Sequence, residues 1–351
     1  KVEATILDDH PLAQRISRIG WMGRYLLWQW QALDKAREID ARFDADIVHH
    51  VGWGSLQGGS RLWRLGKPFV FGPVGGAQHA PPAFKEYFGS SWRNEWLRTT
   101  LNVKSIRFLP TIRGVFKQAD VILAANHETH DVARSIGVRR IELIRDVALP
   151  PELIVDSIDR RPDDKPLRVV WLARYMPRKG LALALDAFAK VPADCPVQLT
   201  VVGADGTADE LRSRAARITR TSSDPERLAF TGVVDWSTAQ AALRESDVFL
   251  FTSLRDTTGV QLLEAIAGGL AVITLDHHGG GEIVTDEVGI KIPVVNPETT
   301  STGIAAAIER LANDRDLTFQ LRRNALAKAP TFIWPKHAAS IDDIYQELVG
   351  H

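Results

Sequence analysis

The feature that most constrains the fold is an alternation of apolar, strand-like runs with helix-like segments in the second half of the chain. The apolar runs end in glycine or polar loops, and the segments after them have helical spacing. Strand-helix units repeated in this way predict a parallel sheet with helices on both faces. The predicted strands are 167–173, 197–202, 227–231, 247–252 and 271–273, and the predicted helices are 181–190, 208–218, 235–245, 262–270, 302–313 and 317–329.

The first half shows a less regular version of the same pattern. A helix is predicted at 21–41, and strands are predicted at 3–7, 44–50, 67–71, 119–125 and 142–146. In open α/β sheets, ligand loops form where a strand ends in glycine. Gly75 and Gly76 follow the strand at 67–71, so we expect them to cradle an acceptor or a phosphate, although an ordinary turn also needs glycine.

The chain has 351 residues, which is long enough for two domains with separate cores. The polar stretch 156–166, with the sequence DSIDRRPDDKP, lies between two apolar strands and follows Pro150 and Pro151. Prolines and charges between apolar elements are typical of a linker. We therefore predict a first domain at 1–155 and a second that begins at residue 156.

Composition excludes several classes of protein. Basic and acidic residues number 43 each, so net charge gives no sign of a nucleic-acid partner. Cys195 is the only cysteine, which excludes an internal disulfide or a cysteine zinc cluster and favours a reducing compartment, the cytoplasm. No apolar run approaches the roughly 18 residues of a membrane span. His127 and His130 lack a nearby third ligand, so no metal is expected.

The loop that begins at Asp256 looks like a binding site. It follows an apolar strand and precedes a helix-like segment that carries Glu264. Gly259 has no Cβ, so backbone N–H groups at the positive end of that helix can approach a ligand. Carboxylates eight residues apart lie more than two helical turns apart, which suits an elongated polyol held at two points. The alternative is an ordinary helix start, with Asp256 as its cap and Glu264 in solvent.

A second candidate loop follows the strand at 167–173. Arg174 ends that strand and Lys179 comes directly before the next predicted helix. Two cations that converge with free N–H groups at a helix N terminus would hold a diphosphate. The alternative is a basic surface turn.

The two loops together carry a family resemblance. The pattern is a carboxylate, seven residues and Glu264, then Ala265, Gly268, Gly269, an apolar strand at 271–273, Gly279, Gly280, Gly281 and Glu282. It resembles the donor-binding core of retaining glycosyltransferases of family 4, the group 1 glycosyl transferases. The resemblance implies the GT-B fold, with two Rossmann-like parallel-sheet domains facing a central cleft. It also implies no metal and no cofactor, the nucleotide-diphosphate sugar being a co-substrate.

The resemblance also implies roles for individual residues. Arg174 and Lys179 would bind the donor diphosphate and stabilise it as a leaving group. The first carboxylate would face the donor sugar, and Glu264 would contact the ribose. The family usually has glutamate at the first place, whereas this chain has Asp256, one methylene shorter. A histidine just after an Asp-x-x-His strand would lie near the acceptor and the donor sugar, and either His49 or His50 fits that place.

These interpretations define a set of candidate site residues. The catalytic candidates are His50, His49, Asp256, Arg174 and Lys179; the donor-binding candidates are Arg174, Lys179, Gly203, Asp256, Thr257, Thr258, Gly259, Val260 and Glu264; and the acceptor-binding candidates are Gly75 and Gly76. The region 231–236 is expected to govern selectivity for the base.

The ends of the chain are also interpreted through the resemblance. Residues 332–351 resemble the final helix that crosses back to the N-terminal domain in this family, so the second domain is predicted to span 156–331. The family normally begins with a strand and a glycine-rich loop, and no such loop precedes Asp46. Only one predicted strand precedes Asp46, which favours a truncated N terminus over a divergent domain.

The stretch 91–118 combines arginines and lysines with tryptophan, leucine and phenylalanine and has almost no acidic residues. A cationic amphipathic segment suits docking on anionic lipid, which would place the protein at the inner face of the membrane. A solvated basic helix that covers the core would have the same composition.

The sequence therefore predicts a retaining glycosyltransferase that moves a sugar from a nucleotide-diphosphate sugar to a saccharide or lipid-linked saccharide, in the synthesis of a cell-surface polysaccharide. Two alternatives stay open at this point. One is a nucleotide- or sugar-binding subunit without catalysis, and the other is a nucleotide-sugar epimerase of the same fold.

Overall fold

A computed structural model describes residues 20–52, 55–104, 110–204, 209–221 and 224–350, together with Leu7, Phe108 and Gly206. The strand predicted at 3–7 lies outside the described residues, except for Leu7. The chain divides into two units. The first unit contains the described residues within Lys1–Gln78, Leu97–Asp146 and Ala339–His351, and the second contains those within His79–Trp96 and Val147–Ala338.

The first unit is built on a sheet of four parallel strands in the order β1-β2-β3-β4. Its strands are β1 (Val48–His50), β2 (Phe69–Val74), β3 (Val121–Ala124) and β4 (Ile141–Leu143). The longer helices along this part of the chain are α1 (Trp21–Phe43), α2 (Trp92–Arg98), which runs across the boundary between the units, α3 (Pro110–Gln118) and α4 (His127–Ile136). Strands β2 and β3 are buried throughout, so the core of the unit lies along them.

The second unit is built on a sheet of six parallel strands in the order β10-β9-β8-β5-β6-β7. Its strands are β5 (Leu167–Leu172), β6 (Val197–Val202), β7 (Leu228–Phe230), β8 (Val248–Phe251), β9 (Ala271–Leu275) and β10 (Gly289–Ile292). Its helices are α5 (Leu181–Phe188), α6 (Asp209–Thr221), α7 (Trp236–Arg244), α8 (Val260–Ala267), α9 (His278–Ile283), α10 (Pro297–Asn313) and α11 (Arg315–Lys328), and α12 (Trp334–Val349) follows. The predicted α/β class with two parallel sheets is confirmed.

Buried clusters lie on both faces of the second sheet, and this explains why its central strands β8 and β9 are apolar without alternation. Val169 and Trp171 of β5 belong to one buried cluster, whereas Val170 belongs to the cluster on the other face. Strands β8 and β9 are buried at every position. The continuous apolar runs in the sequence are thus the signature of a central parallel strand.

The strand order creates a switch point between β5 and β8. From β5 the chain proceeds outward to β6 and β7, and it then returns to place β8 on the other side of β5. In doubly wound sheets, ligands bind beyond the carboxyl ends of the strands at such a point, where the flanking loops diverge. The loops at this switch point are 173–180 and 252–259, the two candidate loops of the sequence.

The division into units differs from the predicted domains at 1–155 and 156–331. Residues 79–96 pack within the second unit, where Phe84, Tyr87 and Phe88 are buried in the same cluster as Trp171. Residues 147–155 also belong to the second unit. No sequence signal assigns these residues to the second unit, because a buried aromatic segment has the same composition whichever core it packs in.

The end of the chain is shared between the units. Helix α12 begins among residues of the second unit, and its part from residue 339 onward belongs to the first unit. Ile344 packs there in a cluster with Val70, Val121 and Leu123. Among the described residues, no helix is both long enough and apolar enough to cross a membrane.

Candidate functional site

The two loops at the switch point are joined by hydrogen bonds. The Trp171 indole donates to Thr252 Oγ1 over 3.1 Å, and that hydroxyl donates to the Gly180 carbonyl over 2.9 Å. The Leu254 N–H donates to the Arg178 carbonyl over 2.8 Å. The loop after β5 therefore has a fixed position relative to the loop after β8.

Gly180 is the residue at which these loops come closest. Its φ is +71°, and a Cβ at this position would lie 2.0 Å from the Thr252 carbonyl oxygen. Backbone atoms cannot yield as a flexible side chain can, so only glycine fits. This close approach also fixes the direction in which the preceding residue, Lys179, enters the site.

Replacing Gly180 with alanine is therefore expected to destabilise the protein more than replacing Gly66. Gly66 has nearly the same φ, +73°, but a Cβ on it would have no heavy atom within 4 Å. Gly66→Ala should cost about 1 kcal/mol from backbone strain alone. Gly180→Ala should cost about 1–3 kcal/mol more from the clash. Urea unfolding of both variants measures the difference, and equal losses would contradict the close approach.

Lys179 and Asp256 form an ion pair at the centre of the site. The Lys179 Nζ donates to Asp256 Oδ2, and the Ser253 hydroxyl donates to the same oxygen over 3.2 Å. Arg178 Nη1 lies 3.8 Å from Asp256 Oδ1. The Asp256 carboxylate thus faces two cations and a hydroxyl. Its contact with Lys179 holds the two side chains together beyond the ends of the strands.

Lys179 is 8% exposed, so its ammonium is largely desolvated. Burial lowers the pKa of Lys179; the attraction and hydrogen bond of Asp256 oppose this shift, while Arg178 and Arg174 add to it. A cation held in a site of low dielectric interacts with an anion more strongly than one in water does. Lys179 is therefore well placed to stabilise negative charge on a ligand.

Arg174 differs from Lys179 in that it is exposed and has no partner among the described residues. It follows β5 by two residues, and none of those residues accepts a hydrogen bond from its guanidinium. A guanidinium offers five donors in a planar fork that matches phosphate. Arg174 and Lys179 thus supply two cations at one strand end.

The start of helix α8 is shaped by close backbone packing. Gly259 has a φ of +80°, and a Cβ there would lie 2.8 Å from the ring of Phe251. A Cβ on Gly279 would lie 2.4 Å from the Thr258 carbonyl and 2.6 Å from that of Thr257. The chain after β9 therefore rests directly on the candidate loop. Val260 begins the helix and is partly exposed at this end.

Glu264 lies one turn further along α8 and is partly buried. Its carboxylate is hydrogen-bonded to the side chains of Trp236 and Gln240, both on α7. Burial raises the pKa of Glu264, and the two hydrogen bonds oppose the shift. Trp236 is 60% exposed, so its ring borders solvent while its polar edge holds the carboxylate. Gln240 was missed by sequence reasoning; its signal is a polar residue four positions after Trp236, on the same helix face.

Gly203 lies at the carboxyl end of the neighbouring strand, β6. Its φ is +94°, and a Cβ would lie 2.3 Å from the Ala173 carbonyl. Its N–H donates to the Gly232 carbonyl over 2.9 Å. These contacts explain on structural grounds why this position is glycine, and its part in donor binding stays a prediction.

The histidine candidates belong to the first unit, at the end of β1. His49 Nε2 lies 2.6 Å from the Gly72 carbonyl, which can only accept, so Nε2 carries the proton. The Tyr345 hydroxyl then donates to Nδ1. Both ring nitrogens of neutral His49 are therefore engaged.

His50 is more deeply buried than His49, and its partners are hydroxyl groups. Its Nδ1 lies 2.5 Å from Ser60 Oγ and its Nε2 lies 3.3 Å from the Tyr25 hydroxyl. Burial, with a smaller contribution from the charge of His49, lowers the pKa of His50 to about 4. Hydroxyls can reverse their donor and acceptor roles, so His50 retains the choice of tautomer that His49 lacks.

The pKa of His50 predicts an acid-sensitive stability. The unfolded chain takes up a proton near pH 6.5, whereas the folded protein resists protonation until about pH 4. The contribution is thus complete above pH 6.5 and is lost as the pH falls toward 4, by up to about 3 kcal/mol. Denaturant unfolding at pH 7 and pH 4.5 measures it. His50→Gln should show a smaller fall between the two pH values, and a full fall in His50→Gln would contradict the assignment.

The acceptor candidates Gly75 and Gly76 also belong to the first unit, just beyond β2. The Gly75 carbonyl accepts from the Leu56 N–H over 2.9 Å, and the Gly76 N–H donates to Gln78 Oε1 over 3.0 Å. Gly76 has a φ of +106°. Gly75 is therefore hydrogen-bonded to Leu56 outside the loop and Gly76 to Gln78 within it, and the role of the loop as an acceptor cradle stays a prediction.

The fold matches a known architecture. Two parallel-sheet units, the second with a switch point between β5 and β8, are the architecture of GT-B glycosyltransferases. The structure resembles that of HepE from Anabaena, solved in complex with UDP, with a TM-score of 0.60 and 20% sequence identity over 89% of this chain and 81% of that one. At this identity the likeness concerns the fold.

The sequence comparisons concern the second unit most directly. Residues 166–314 match the family model described as "Glycosyl transferases group 1". The chain is 32% identical to phosphatidyl-myo-inositol mannosyltransferase of Mycobacterium tuberculosis over 186 residues, 52% of this chain and 47% of the relative. It is 26% identical to the GDP-mannose-dependent alpha-mannosyltransferase of the same organism over 324 residues, 88% of this chain and 73% of the relative.

The chain thus matches about half the length of the first of these relatives. The matched family segment contains every donor-binding candidate named from the sequence, from Arg174 to Glu264. His49, His50, Gly75 and Gly76 lie outside it.

Proposed function

We propose that this chain is a retaining glycosyltransferase of family 4 that takes a sugar from a nucleotide-diphosphate sugar. The donor would bind at the switch point of the second unit. The acceptor would be a saccharide or a lipid-linked saccharide, and the product would contribute to a cell-surface polysaccharide.

One observation carries the proposal: the cations and the free helix end lie together where β5 and β8 diverge. Arg174 is exposed and unpartnered by the described residues, Lys179 is buried in the same loop, and α8 begins directly after Gly259. A diphosphate needs opposing cations and N–H donors at one place. The ribose would then extend toward Glu264, whose carboxylate is already oriented by Trp236 and Gln240.

The proposed chemistry follows from charge. When the bond between the anomeric carbon and the diphosphate oxygen breaks, negative charge grows on the departing diphosphate. Arg174 and Lys179 would stabilise that charge more in the transition state than in the ground state, which is what accelerates a reaction. Attack on the same face, with the departing phosphate oxygen taking the acceptor proton, retains the configuration without a protein nucleophile.

The names of the relatives suggest which donor to test first. Both bacterial relatives are mannosyltransferases, one described as GDP-mannose-dependent, whereas HepE was solved with UDP. GDP-mannose is accordingly the first donor in the panel, and UDP-glucose is the second.

The experiment is calorimetric titration of the full chain with GDP, UDP, GDP-mannose and UDP-glucose, followed by assays of transfer and donor hydrolysis. Glu264→Gln keeps the shape of the side chain but removes its charge, and it should weaken nucleotide binding about tenfold. Glu309→Gln on α10 serves as the matched control. Absence of binding by all four compounds would refute the donor site.

One contact favours the alternative of a binding subunit without catalysis. Asp256 is shorter than the usual glutamate, and both Lys179 and Ser253 already engage its carboxylate. Tight nucleotide binding without transfer or donor hydrolysis would support this alternative. Donor conversion without any acceptor, giving an epimer, would support an epimerase instead.

The stretch 91–118 supports a proposal of peripheral membrane binding. Trp96, Leu97, Leu101 and Phe108 are each about half exposed or more. Arg93, Arg113 and Lys117 are also exposed. A stretch of chain that exposes both apolar side chains and cations suits anionic lipid. Co-sedimentation with phosphatidylglycerol vesicles should exceed that with phosphatidylcholine vesicles, and equal sedimentation would contradict the proposal.

A further inference from the structure

A cluster of arginines lies at the opposite end of the second sheet from the candidate donor site. At its centre is Asp247, 1% exposed, which directly precedes β8. Asp247 Oδ2 accepts from Arg161 Nε over 2.7 Å and from the Arg168 N–H over 3.0 Å. Asp247 Oδ1 accepts from Arg322 Nη1 over 2.9 Å. Both carboxylate oxygens are therefore engaged.

A cavity of about 450 Å³ opens beside this carboxylate, and a small void adjoins it. Five arginines but only two aspartates line the two spaces, which leaves an excess of three positive charges. The arginines are Arg160, Arg161, Arg244, Arg315 and Arg322. Arg160 also pairs with Asp163 and Asp316, but both carboxylates are mostly exposed and thus compensate weakly.

Arg315 is the member of the cluster whose donors are not all satisfied. Its Nη2 donates to the Lys165 carbonyl over 3.2 Å, but its Nη1 is buried and has no hydrogen-bond partner among the described residues. A buried donor without a partner is costly, and more so when it is charged. Burial lowers the pKa of both Arg315 and Arg322, as expected for cations without full compensation.

We propose that this cavity binds a phosphate group, either as the free ion or as the phosphate of a small organic ester. An oxyanion with two negative charges in the cavity would offset most of the excess charge, including that of Arg315, whose guanidinium borders the adjoining void. Guanidinium forks match phosphate in a bidentate manner. Ser157, which also lines the cavity, adds a hydroxyl.

This site is separate from the proposed donor site. The arginines surround the amino end of β8, whereas the donor candidates follow the carboxyl ends of β5 and β8. Six residues of strand span roughly 20 Å. The two sites therefore lie at opposite ends of the strands of one sheet, and a ligand in the arginine cavity would act as a regulator or stabiliser of the second unit.

The test is calorimetric titration of the full chain with inorganic phosphate and with glucose 6-phosphate, at fixed ionic strength, with glucose as the uncharged control. We expect at least one phosphate compound to bind and glucose not to bind. Binding of inorganic phosphate would identify the free ion as sufficient, whereas binding of glucose 6-phosphate alone would identify an ester. Arg315→Gln removes a positive charge beside the cavity and should weaken that binding about tenfold through the lost electrostatic attraction.

Two further variants keep the test decisive. Arg244 is exposed and does not contact Asp247, so Arg244→Gln should fold even where Arg315→Gln does not, and it should also weaken phosphate binding. Lys179→Ala removes a cation of the donor site and should leave phosphate binding unchanged. The proposal is overturned if neither phosphate compound binds, if Arg244→Gln and a folded Arg315→Gln bind as wild type does, or if Lys179→Ala abolishes the binding. Nucleotide binding in Arg244→Gln should be normal. A failure of the phosphate proposal can therefore be distinguished from a failure of the proposed donor site.

Discussion

Lys179→Ala is expected to lower the turnover of sugar transfer by about 10²-fold or more. The reason is that Lys179 is a desolvated cation, 8% exposed, at the end of the strand where the donor diphosphate is proposed to depart. Removing one preorganised electrostatic contact to a developing anion typically costs about 10²–10³-fold. Steady-state assays with the donor that binds most tightly measure the change.

The matched control is Lys190→Ala in the same unit. Lys190 is partly exposed and pairs with Glu298 over 2.8 Å, away from the two loops, so its loss should leave turnover unchanged. The melting temperature of Lys179→Ala must be followed as well, because Asp256 loses its main partner. Near-normal turnover in a folded Lys179→Ala protein would remove Lys179 from the catalytic residues.

Asp247→Ala is expected to cost about 3–5 kcal/mol of unfolding free energy. The substitution leaves the buried guanidinium of Arg322 and the partly buried guanidinium of Arg161 without their carboxylate. Removing one partner of a buried ion pair lowers stability by much more than the intact pair adds to it, because the remaining charge is left buried without a partner. Denaturant unfolding gives the change directly.

Asp186→Ala provides the comparison. Asp186 also accepts from two arginines, Arg214 over 3.1 Å and Arg217, but its side chain is 18% exposed and that of Arg217 is 52% exposed. The pair with the exposed Arg217 contributes about 1 kcal/mol or less, so Asp186→Ala should cost less than Asp247→Ala although Arg214 is only 19% exposed. Equal losses of unfolding free energy in Asp247→Ala and Asp186→Ala would mean that burial does not determine how much Asp247→Ala destabilises the protein.

Several elements of the second unit could be predicted from sequence because pattern and packing agree there. The apolar run at 167–173 became β5, Leu167–Leu172, since both faces of this strand are buried. Strand β10 and helix α9 were not predicted. Strand β10 is short, half-buried and contains Gly289 and Lys291, and α9 contains three glycines in six residues. Tertiary contacts override weak local propensity in both elements.

The candidate site shows where sequence reasoning ends. Glycines and cations next to strand ends indicated the two loops, because parallel strands place their carboxyl ends at one edge. The contact between Lys179 and Asp256 joins residues 77 apart in sequence, and no local period encodes it. The hydrogen bonds of Gln240 and Trp236 to Glu264 depend equally on how α7 packs against α8.

The segment 79–96 has a consequence for exchanging parts between related proteins. Phe84, Tyr87 and Phe88 complete the core of the second unit, and Glu95 pairs with Arg255 over 2.8 Å, directly before Asp256. A chimera cut only at the proline-bearing stretch near residue 156 would give the second unit a foreign version of this segment. Successful recombination must therefore transfer residues 79–96 together with residues 147–338, because these two separate stretches of sequence form one folded unit.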